Sequence, residues 1–207
     1  ASLGLVGVQS VIDLWAERTE ALRQLPDGEY VIVFENRGAS IGATISHPHG
    51  QIYAFDHVPA RPATALRASW QSDTDPGDRL ICENNGWRVY CDNAAVYPVS
   101  IRIAPVERIA DLVSMSNADR AVLASTLVNV FAALEELFDE PLPYMMWLNQ
   151  APRTSGDWPD AWFNIEIVSP WRASGLPRYI AGVEVATGEY FNPVDPADVA
   201  ARLRALI

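Results

Sequence analysis

Long apolar runs and clusters of basic residues are both missing from this sequence of 207 residues. No apolar stretch approaches the roughly 20 residues that a membrane-spanning helix needs, and no basic-then-apolar leader resembles a signal peptide. Lys and Arg number 15 against 26 Asp and Glu, which gives a net charge of -11. Because a phosphate backbone is held mainly by clustered basic side chains, we expect no nucleic-acid binding. The missing apolar run and leader lead us to expect neither membrane insertion nor secretion.

Cysteine and histidine are also scarce. Cys82 and Cys91 are the only cysteines and lack CxxC spacing, which is typical of reduced packing thiols in a cytoplasmic protein rather than of a disulfide framework. Of the three histidines, His57 is predicted to lie at the surface, and the other two, His47 and His49, are separated by one residue. We therefore expect a cytoplasmic protein whose chemistry centres on that pair.

The segment around the paired histidines predicts a reactive strand face. Alternate residues of an extended segment point to one side, so His47, His49 and Gln51 would share a face. A neutral imidazole is a good nucleophile toward an activated phosphorus near neutral pH. Gly38, Gly42 and Gly50 would let backbone N–H groups reach phosphate oxygens, although glycine loops are usually only turns. A hydrogen-bonded pair of structural histidines is the simpler alternative.

Hydrophobic periodicity and turn signals predict an alternation of helices and strands. Capping signals at Ser10 and Ser116 begin the two long helices, and Asp195 caps a last one with Leu203 and Leu206 inward. Pro59, Pro62 and the stretch from Ser69 to Gly77 are interpreted as surface linker. The predicted long helices cover 10–24 and 117–138. The predicted strands cover 30–34, 43–55, 79–83, 87–91, 99–104, 144–149, 162–168 and 178–185.

The two halves of the chain repeat one order of elements: a helix, an apolar strand ending in Asn, a loop and an alternating strand. This order indicates an internal duplication at low identity. In it, His47-x-His49 corresponds to Asn164-x-Glu166. The second copy has therefore lost the imidazoles, and with them any nucleophile.

Two stretches of the first copy carry a family resemblance. They are Phe34-Glu35-Asn36-Arg37-Gly38-Ala39, followed by Gly42, and His47-Pro48-His49-Gly50-Gln51-Ile52. They resemble the active-site signature of the galactose-1-phosphate uridylyltransferases, a branch of the histidine-triad superfamily in which Gln51 replaces a third histidine. A weaker resemblance extends to the C-terminus. Because the chain begins without Met, in a helix that leads into the motif, we expect that a preceding N-terminal portion is missing.

The resemblance implies an α+β fold of two histidine-triad-like repeats. Their antiparallel strands would form one extended sheet or half-barrel, with the two long helices packed on it. Residues 1–68 would hold the C-terminal part of the first repeat with the active-site motif, and 69–77 would be a linker. Residues 78–207 would form the second, degenerate repeat.

The resemblance also implies a ping-pong transfer of a uridylyl group. His49 would attack the α-phosphorus of UDP-glucose, releasing glucose 1-phosphate and leaving a uridylyl-histidine that galactose 1-phosphate then takes up. Gln51 would hydrogen-bond the phosphoryl oxygen without offering an acidic proton, so the intermediate would wait for a sugar phosphate instead of being hydrolysed. Positions matching those that contact the nucleotide or its phosphates are Asn36, Arg37, Gly42, Thr44 and Gln51.

Partners are implied by the C-terminal part of the resemblance. Arg178, Tyr179 and Glu184 match the segment that holds the sugar, which family members bring in from the partner subunit of a dimer. We therefore expect a homodimer, or a complex with a chain that supplies the N-terminal portion.

Metal sites are where the sequence departs from the family pattern. The family's zinc, where present, is held by residues of the N-terminal portion and by the position of His47, and a single imidazole does not make a tetrahedral site. An iron-type site of some members falls here on Asn149, Asn164, Glu166 and Ala65. We expect zinc at His47 only if an N-terminal segment brings cysteines. In the second repeat we expect no metal, and hydrogen bonds among Asn149, Asn164 and Glu166 instead.

Two alternative functions stay open. One is a related histidine-triad nucleotide hydrolase or sugar-nucleotide phosphorylase with another substrate. The other is a non-catalytic nucleotide-binding subunit, which the degenerate second repeat makes plausible. Intact His49 and Gln51 favour an enzyme, because a protein without catalysis needs no nucleophile.

Overall fold

The protein is described by a computed structural model that covers residues 3–43 and 49–207. Helices and strands alternate along this part of the chain. The helices are α1 (Gly4–Arg23), α2 (Ala60–Arg67), α3 (Asn117–Glu136), α4 (Gly182–Thr187) and α5 (Pro196–Arg204). The strands are β1 (Tyr30–Arg37), β2 (Gly50–Phe55), β3 (Leu80–Asn84), β4 (Trp87–Cys91), β5 (Val99–Pro105), β6 (Tyr144–Asn149), β7 (Asn164–Ser169), β8 (Trp171–Ala173) and β9 (Leu176–Pro177). Among the described residues, no helix combines the length and apolarity needed to span a bilayer.

Seven of the strands form one antiparallel sheet in the order β2-β1-β6-β7-β5-β4-β3. Strand β2 begins one residue after His49, and β7 carries Glu166, so both lie in the same sheet. Phe34 of β1 stands opposite Trp147 of β6, which joins the two halves of the chain through paired strands. The predicted α+β fold with one extended antiparallel sheet is thereby confirmed. The division into repeats at 69–77 stays a prediction.

One face of the sheet carries the hydrophobic core. Strands β1, β5 and β7 alternate, and their inward residues are completely buried beneath the helices; they include Val33, Ile101, Ile103, Ile165 and Ile167. Helices α1, α3 and α5 supply the facing apolar stripes, among them Ile12, Trp15, Leu123, Leu127, Leu134, Val199 and Leu203. Burying each large aliphatic side chain contributes about 1.5–3 kcal/mol. The opposite face of the sheet is therefore the one left for function.

The helix termini test the capping predictions. Ser116 accepts a hydrogen bond from the Asp119 N–H at 3.1 Å and returns one from its own N–H to the Asp119 carboxylate at 3.2 Å, so the capping box of α3 is confirmed. Asp195 likewise caps α5 by accepting from the Ala197 N–H at 2.9 Å. The Ser10 prediction is wrong, because α1 already begins at Gly4 and the Ser10 hydroxyl donates to a carbonyl one turn back.

Three further sequence predictions need correction. The predicted linker after Pro59 contains α2, whose Pro62 lies in the first turn, where a helix tolerates proline. The predicted strand 178–185 contains α4, whose first turn is fixed by the Glu184 carboxylate accepting from the Ala181 N–H. The alternating valines, Val183 and Val185, suggested a strand with one buried face, but both are exposed. Leu206 is also exposed, because it lies beyond the end of α5, although Leu203 is buried as predicted.

The two cysteines yield a prediction about reactivity. Cys82 and Cys91 are not joined in a disulfide. Burial raises the pKa of the Cys91 thiol to about 12 and also raises that of Cys82. Since the thiolate is the reactive form, we expect neither thiol to be alkylated by iodoacetamide at about pH 8 in the native protein, whereas both react after unfolding. Rapid native-state labelling of Cys91, detected by mass spectrometry, would contradict the packing.

Candidate functional site

The candidate site begins with the pairing of β1 and β2 on the open face of the sheet. Val33 and Ile52 oppose each other on the core side, so the next pair, Phe34 and Gln51, points away from the core. Tyr53 shares that face, with its ring edge-on to Phe34 at a centroid distance of 4.9 Å. The Tyr53 hydroxyl donates to the Gln51 amide oxygen at 3.4 Å. An aromatic pair thus supports the Gln51 amide.

The nucleophile predicted from the sequence stands at the start of this strand pair. His49 is half-buried and immediately precedes β2. The β1–β2 register ends at the pair Glu35 and Gly50, next to His49. If alternation held for one more residue, His49 would lie on the side of Gln51. Asn36 follows Phe34 by two residues on β1, so Asn36 and Gln51 lie on one face of the sheet. The placement of His49 beside them stays a prediction. Thr44 and His47 lie outside the described residues, so their predicted roles stay predictions.

The loop after β1 is a tight turn that requires glycine. Gly38 and Gly42 both have positive φ, 103° and 86°, on either side of a 3-10 turn. A Cβ at Gly38 would also approach Pro143 to 2.8 Å. The Gly42 N–H donates to the Ala39 carbonyl at 3.1 Å, so it closes the turn. The glycines are explained by this geometry, and phosphate binding by Gly42 stays a prediction.

Arg37 lies on the other face of β1 from Asn36. Its guanidinium forms an ion pair with Glu135 of α3 and stands 5.8 Å from the centroid of the Tyr144 ring. The hydrogen bond from Arg37 holds the pKa of Glu135 below its ordinary value. The predicted contact between Arg37 and phosphate would need this pair to open.

The three predicted sugar-binding residues lie in the segment after β9. Arg178 and Glu184 form a buried ion pair. Glu184 also accepts from the backbone N–H groups of Phe191 at 2.8 Å and Ala181 at 2.6 Å, and these bonds hold its pKa below the ordinary value. Arg178 in turn donates to the Phe191 carbonyl at 3.1 Å. The pair clamps the segment, while Tyr179 is 82% exposed beside it.

A second polar cluster occupies the same open face, on β6 and β7. Asn149 donates to the Asn164 amide oxygen and to the Glu166 carboxylate, both at 2.8 Å. The hydrogen bonds expected among these three residues are therefore present. Two arginines that sequence reasoning missed complete the cluster, Arg102 at 2.9 Å and Arg61 at 2.7 Å from the two Glu166 oxygens. The only signal was that Arg102 fell on the polar side of its alternating strand.

The charges around Glu166 keep it ionised. Burial opposes ionisation, but the charges of Arg102 and Arg61, together with the hydrogen bonds from Arg61 and Asn149, outweigh it and hold the pKa of Glu166 below its ordinary value. Both carboxylate oxygens already face guanidinium groups. Within ranges 3–43 and 49–207, no group of three His, Cys, Asp or Glu side chains could hold a metal ion. The expectation that Asn149, Asn164 and Glu166 hold no iron or zinc stays a prediction.

The amino-acid sequence is similar to those of named proteins. A profile described as "Galactose-1-phosphate uridyl transferase, N-terminal domain" matches residues 1–59. The galactose-1-phosphate uridylyltransferase of Thermotoga maritima is 30% identical over 95% of this chain and 66% of its own length. The ADP-glucose phosphorylase of Arabidopsis thaliana is 28% identical over 96% of this chain and 58% of its own length.

Solved structures agree with the sequence comparisons. A structure described as that of a uridylyltransferase mutant superposes with a TM-score of 0.89 at 26% identity, covering 99% of this chain and 71% of the other. A second, described as that of a uridylyltransferase, has a TM-score of 0.88 at 27% identity and covers 99% of this chain and 69% of the other. The chain thus spans less than two thirds of the length of the sequence relatives it matches, 66% in the Thermotoga enzyme and 60% in that of Kluyveromyces lactis.

Proposed function

The chain belongs to the galactose-1-phosphate uridylyltransferase family as a partial-length member, and on this premise we propose that it is a uridylyltransferase that moves UMP from UDP-glucose to galactose 1-phosphate. The observation that carries the proposal is the β1–β2 pair. In this pair Phe34 stands opposite Gln51 on the side of the sheet away from the core, and His49 immediately precedes β2. The proposal is that Asn36, His49 and Gln51 meet at this end of the open face. A nucleophile and two amides in one place are what a phosphoryl-group transfer through a covalent intermediate needs.

The proposed reaction has two balanced steps. In the first, a ring nitrogen of His49 forms a bond to the α-phosphorus of UDP-glucose as the bond to the bridging oxygen breaks, and glucose 1-phosphate leaves with that oxygen. In the second, a phosphate oxygen of galactose 1-phosphate attacks the same phosphorus, the phosphorus–nitrogen bond breaks, and UDP-galactose leaves. The imidazole is thereby regenerated.

Gln51 has a distinct part in this proposal. With its amide oxygen accepting from the Tyr53 hydroxyl, its NH₂ group would donate to a non-bridging phosphoryl oxygen. An amide has no proton to deliver to a leaving group at neutral pH and cannot act as a general base toward water. The residue would therefore stabilise the phosphoryl charge without promoting hydrolysis of the uridylyl-histidine.

A second subunit fits the exposed C-terminal segment. Besides Tyr179, the apolar side chains of Val183, Val185 and Phe191 are 56%, 71% and 67% exposed around the clamped Arg178–Glu184 pair. We propose that this segment packs on another subunit, where it would approach the sugar. The partner is a second copy, or a chain that supplies the N-terminal portion, and zinc at His47 would require cysteines from such a segment. We place the reaction in the cytoplasm, where free thiols persist.

A second candidate function is supported by the similarity to ADP-glucose phosphorylase. Such an enzyme would pass the nucleotidyl group to inorganic phosphate instead of a sugar phosphate. Offering UDP-glucose, ADP-glucose and dinucleoside polyphosphates separately, each with galactose 1-phosphate or phosphate as acceptor, distinguishes the two. The proposal predicts turnover with UDP-glucose and galactose 1-phosphate. If the protein instead turns over only ADP-glucose, and only with phosphate as acceptor, the second candidate function is the correct one.

The ping-pong step has its own test. The protein is taken from its native source, so that any chain that supplies the N-terminal portion is retained, and is incubated with UDP-glucose and radiolabelled glucose 1-phosphate without galactose 1-phosphate. A covalent intermediate predicts that label enters UDP-glucose in the absence of the second substrate. Label exchange that occurs only when galactose 1-phosphate is present would contradict the mechanism.

A further inference from the structure

The guanidinium of Arg102 is surrounded by oxygen atoms from three neighbouring residues. It lies 2.9 and 3.1 Å from the two Asp92 carboxylate oxygens, 2.9 Å from a Glu166 oxygen and 2.6 Å from the Asn164 amide oxygen. The Trp70 ring covers it at 5.0 Å from the ring centroid, and the Arg102 side chain is only 12% exposed. We call Asp92, Asn164 and Glu166 the oxygen cage.

A positive charge inside the oxygen cage is required by the charges that form it. Asp92 and Glu166 bring two carboxylates to one place, and Glu166 is buried. The other cation nearby, Arg61, is on α2 with its side chain 69% exposed, so it is well hydrated. Without Arg102, the buried Glu166 carboxylate and the nearby Asp92 carboxylate would keep only one counter-charge, the exposed Arg61.

The arrangement suits a planar cation better than a metal ion. The four oxygens address three different nitrogens of the guanidinium, and the Asp92 carboxylate does so with two parallel hydrogen bonds. Hard metal ions bind all their oxygens at about 2.0–2.6 Å from one centre. A guanidinium spreads the same positive charge over a flat fork, which the spacing of the cage oxygens matches.

From these contacts we propose that the oxygen cage is a cation-binding site, and that the cation it holds is the Arg102 guanidinium of the same chain. Arg102 takes the place that a soluble cation would hold, and it joins β5, β7 and the Asp92 turn. The cage without the Arg102 side chain would bind free guanidinium. This is a different assignment from a metal site and does not depend on the proposed function.

A pocket beside the cage offers a route for a small solute. It has a volume of about 130 Å³ and is bounded by α2, Trp70 and the cage residues Asn164 and Glu166. Tyr30 lines the same pocket, and its hydroxyl is buried. Removing the Arg102 side chain would enlarge this space next to the carboxylates.

The test is chemical rescue of Arg102→Ala. We expect this variant to melt about 10 °C lower than the original protein, because it leaves buried carboxylates uncompensated. Low millimolar guanidinium chloride should raise the melting temperature of Arg102→Ala, whereas sodium chloride at equal ionic strength should not. The matched control is Arg88→Ala on β4, since Arg88 is similarly covered at 13% exposure but pairs with Glu83, which is 50% exposed. An unchanged melting temperature in Arg102→Ala, or equal effects of guanidinium on both variants, would overturn the proposal.

A second pair of variants tests the proposal if Arg102→Ala does not fold. Arg102→Gln leaves Glu166 without its main counter-charge, and adding Glu166→Gln removes that charge while keeping the side-chain shape. The proposal predicts that the double variant melts at a higher temperature than Arg102→Gln alone. If the second substitution lowers the melting temperature further, Arg102 does not act as the cation of the cage.

Discussion

Replacing His49 with Asn is expected to abolish nucleotidyl transfer and to leave the fold intact. Asn keeps a polar side chain of similar reach but has no nitrogen basic enough to attack phosphorus. His49 precedes β2 and is not among the buried core residues, so its replacement removes little packing. We expect the label exchange described above to fall by about 10³-fold or more, as is usual when a covalent nucleophile is removed.

The matched control for this variant is His57→Asn. His57 is a surface residue, as predicted, with a side chain 66% exposed and its ring beside the Asp56 carboxylate. Its replacement should leave both exchange and melting temperature unchanged. Exchange at the original rate in the His49 variant would remove His49 from the mechanism, and a loss of exchange in both variants would point to a general effect of histidine replacement.

Truncating Leu127 to Ala is expected to cause the second large effect, a loss of stability. Leu127 is 1% exposed on α3, within the stripe that packs on the sheet. Removing its side chain leaves a cavity that the surrounding helix and strands cannot fully close, which costs about 2–5 kcal/mol. For a chain of this size, that corresponds to a fall in melting temperature of about 10 °C.

Leu14→Ala on α1 provides the comparison. Both leucines lie in helix interiors, so the change in helix propensity is the same, but Leu14 is 50% exposed. We expect its variant to differ from the original protein by about 1 kcal/mol or less in the free energy of unfolding, measured by urea titration. Equal losses from the two truncations would mean that the stripe on α3 is not the core.

The fold was predictable where local signals and burial agree. Ser116 and Asp195 cap helices at the expected positions, and β5 alternates with its isoleucines inward. At α4 the local signals and burial disagree. Val183 and Val185 alternate as they would in a strand but are exposed, while the Glu184 cap and the positive φ of Gly188 favour one short helix. Such caps form through contacts that spacing alone does not show.

The candidate site was proposed from its motif and stays a prediction, whereas the residues around it could not be foreseen from the sequence. Asn36 and Gln51 lie on one face of the sheet because side chains alternate along β1 and β2 and because Phe34 is paired with Gln51. The sequence shows the alternation but not the pairing. The Arg102–Glu166 contact depends instead on which strands are neighbours. These residues are 64 positions apart in the chain and become opposite each other only because β5 pairs with β7. No local pattern specifies that pairing.

Localising the uridylyl group tests the central claim most directly. The protein from its native source would be incubated with UDP-glucose without an acceptor, digested under alkaline conditions that preserve a phosphorus–nitrogen bond, and sequenced by tandem mass spectrometry. The account predicts one uridylyl group on the imidazole of His49, which disappears when galactose 1-phosphate is added. A uridylyl group on His47, on His57 or on any other residue, or turnover of UDP-glucose with no covalent adduct, would contradict it.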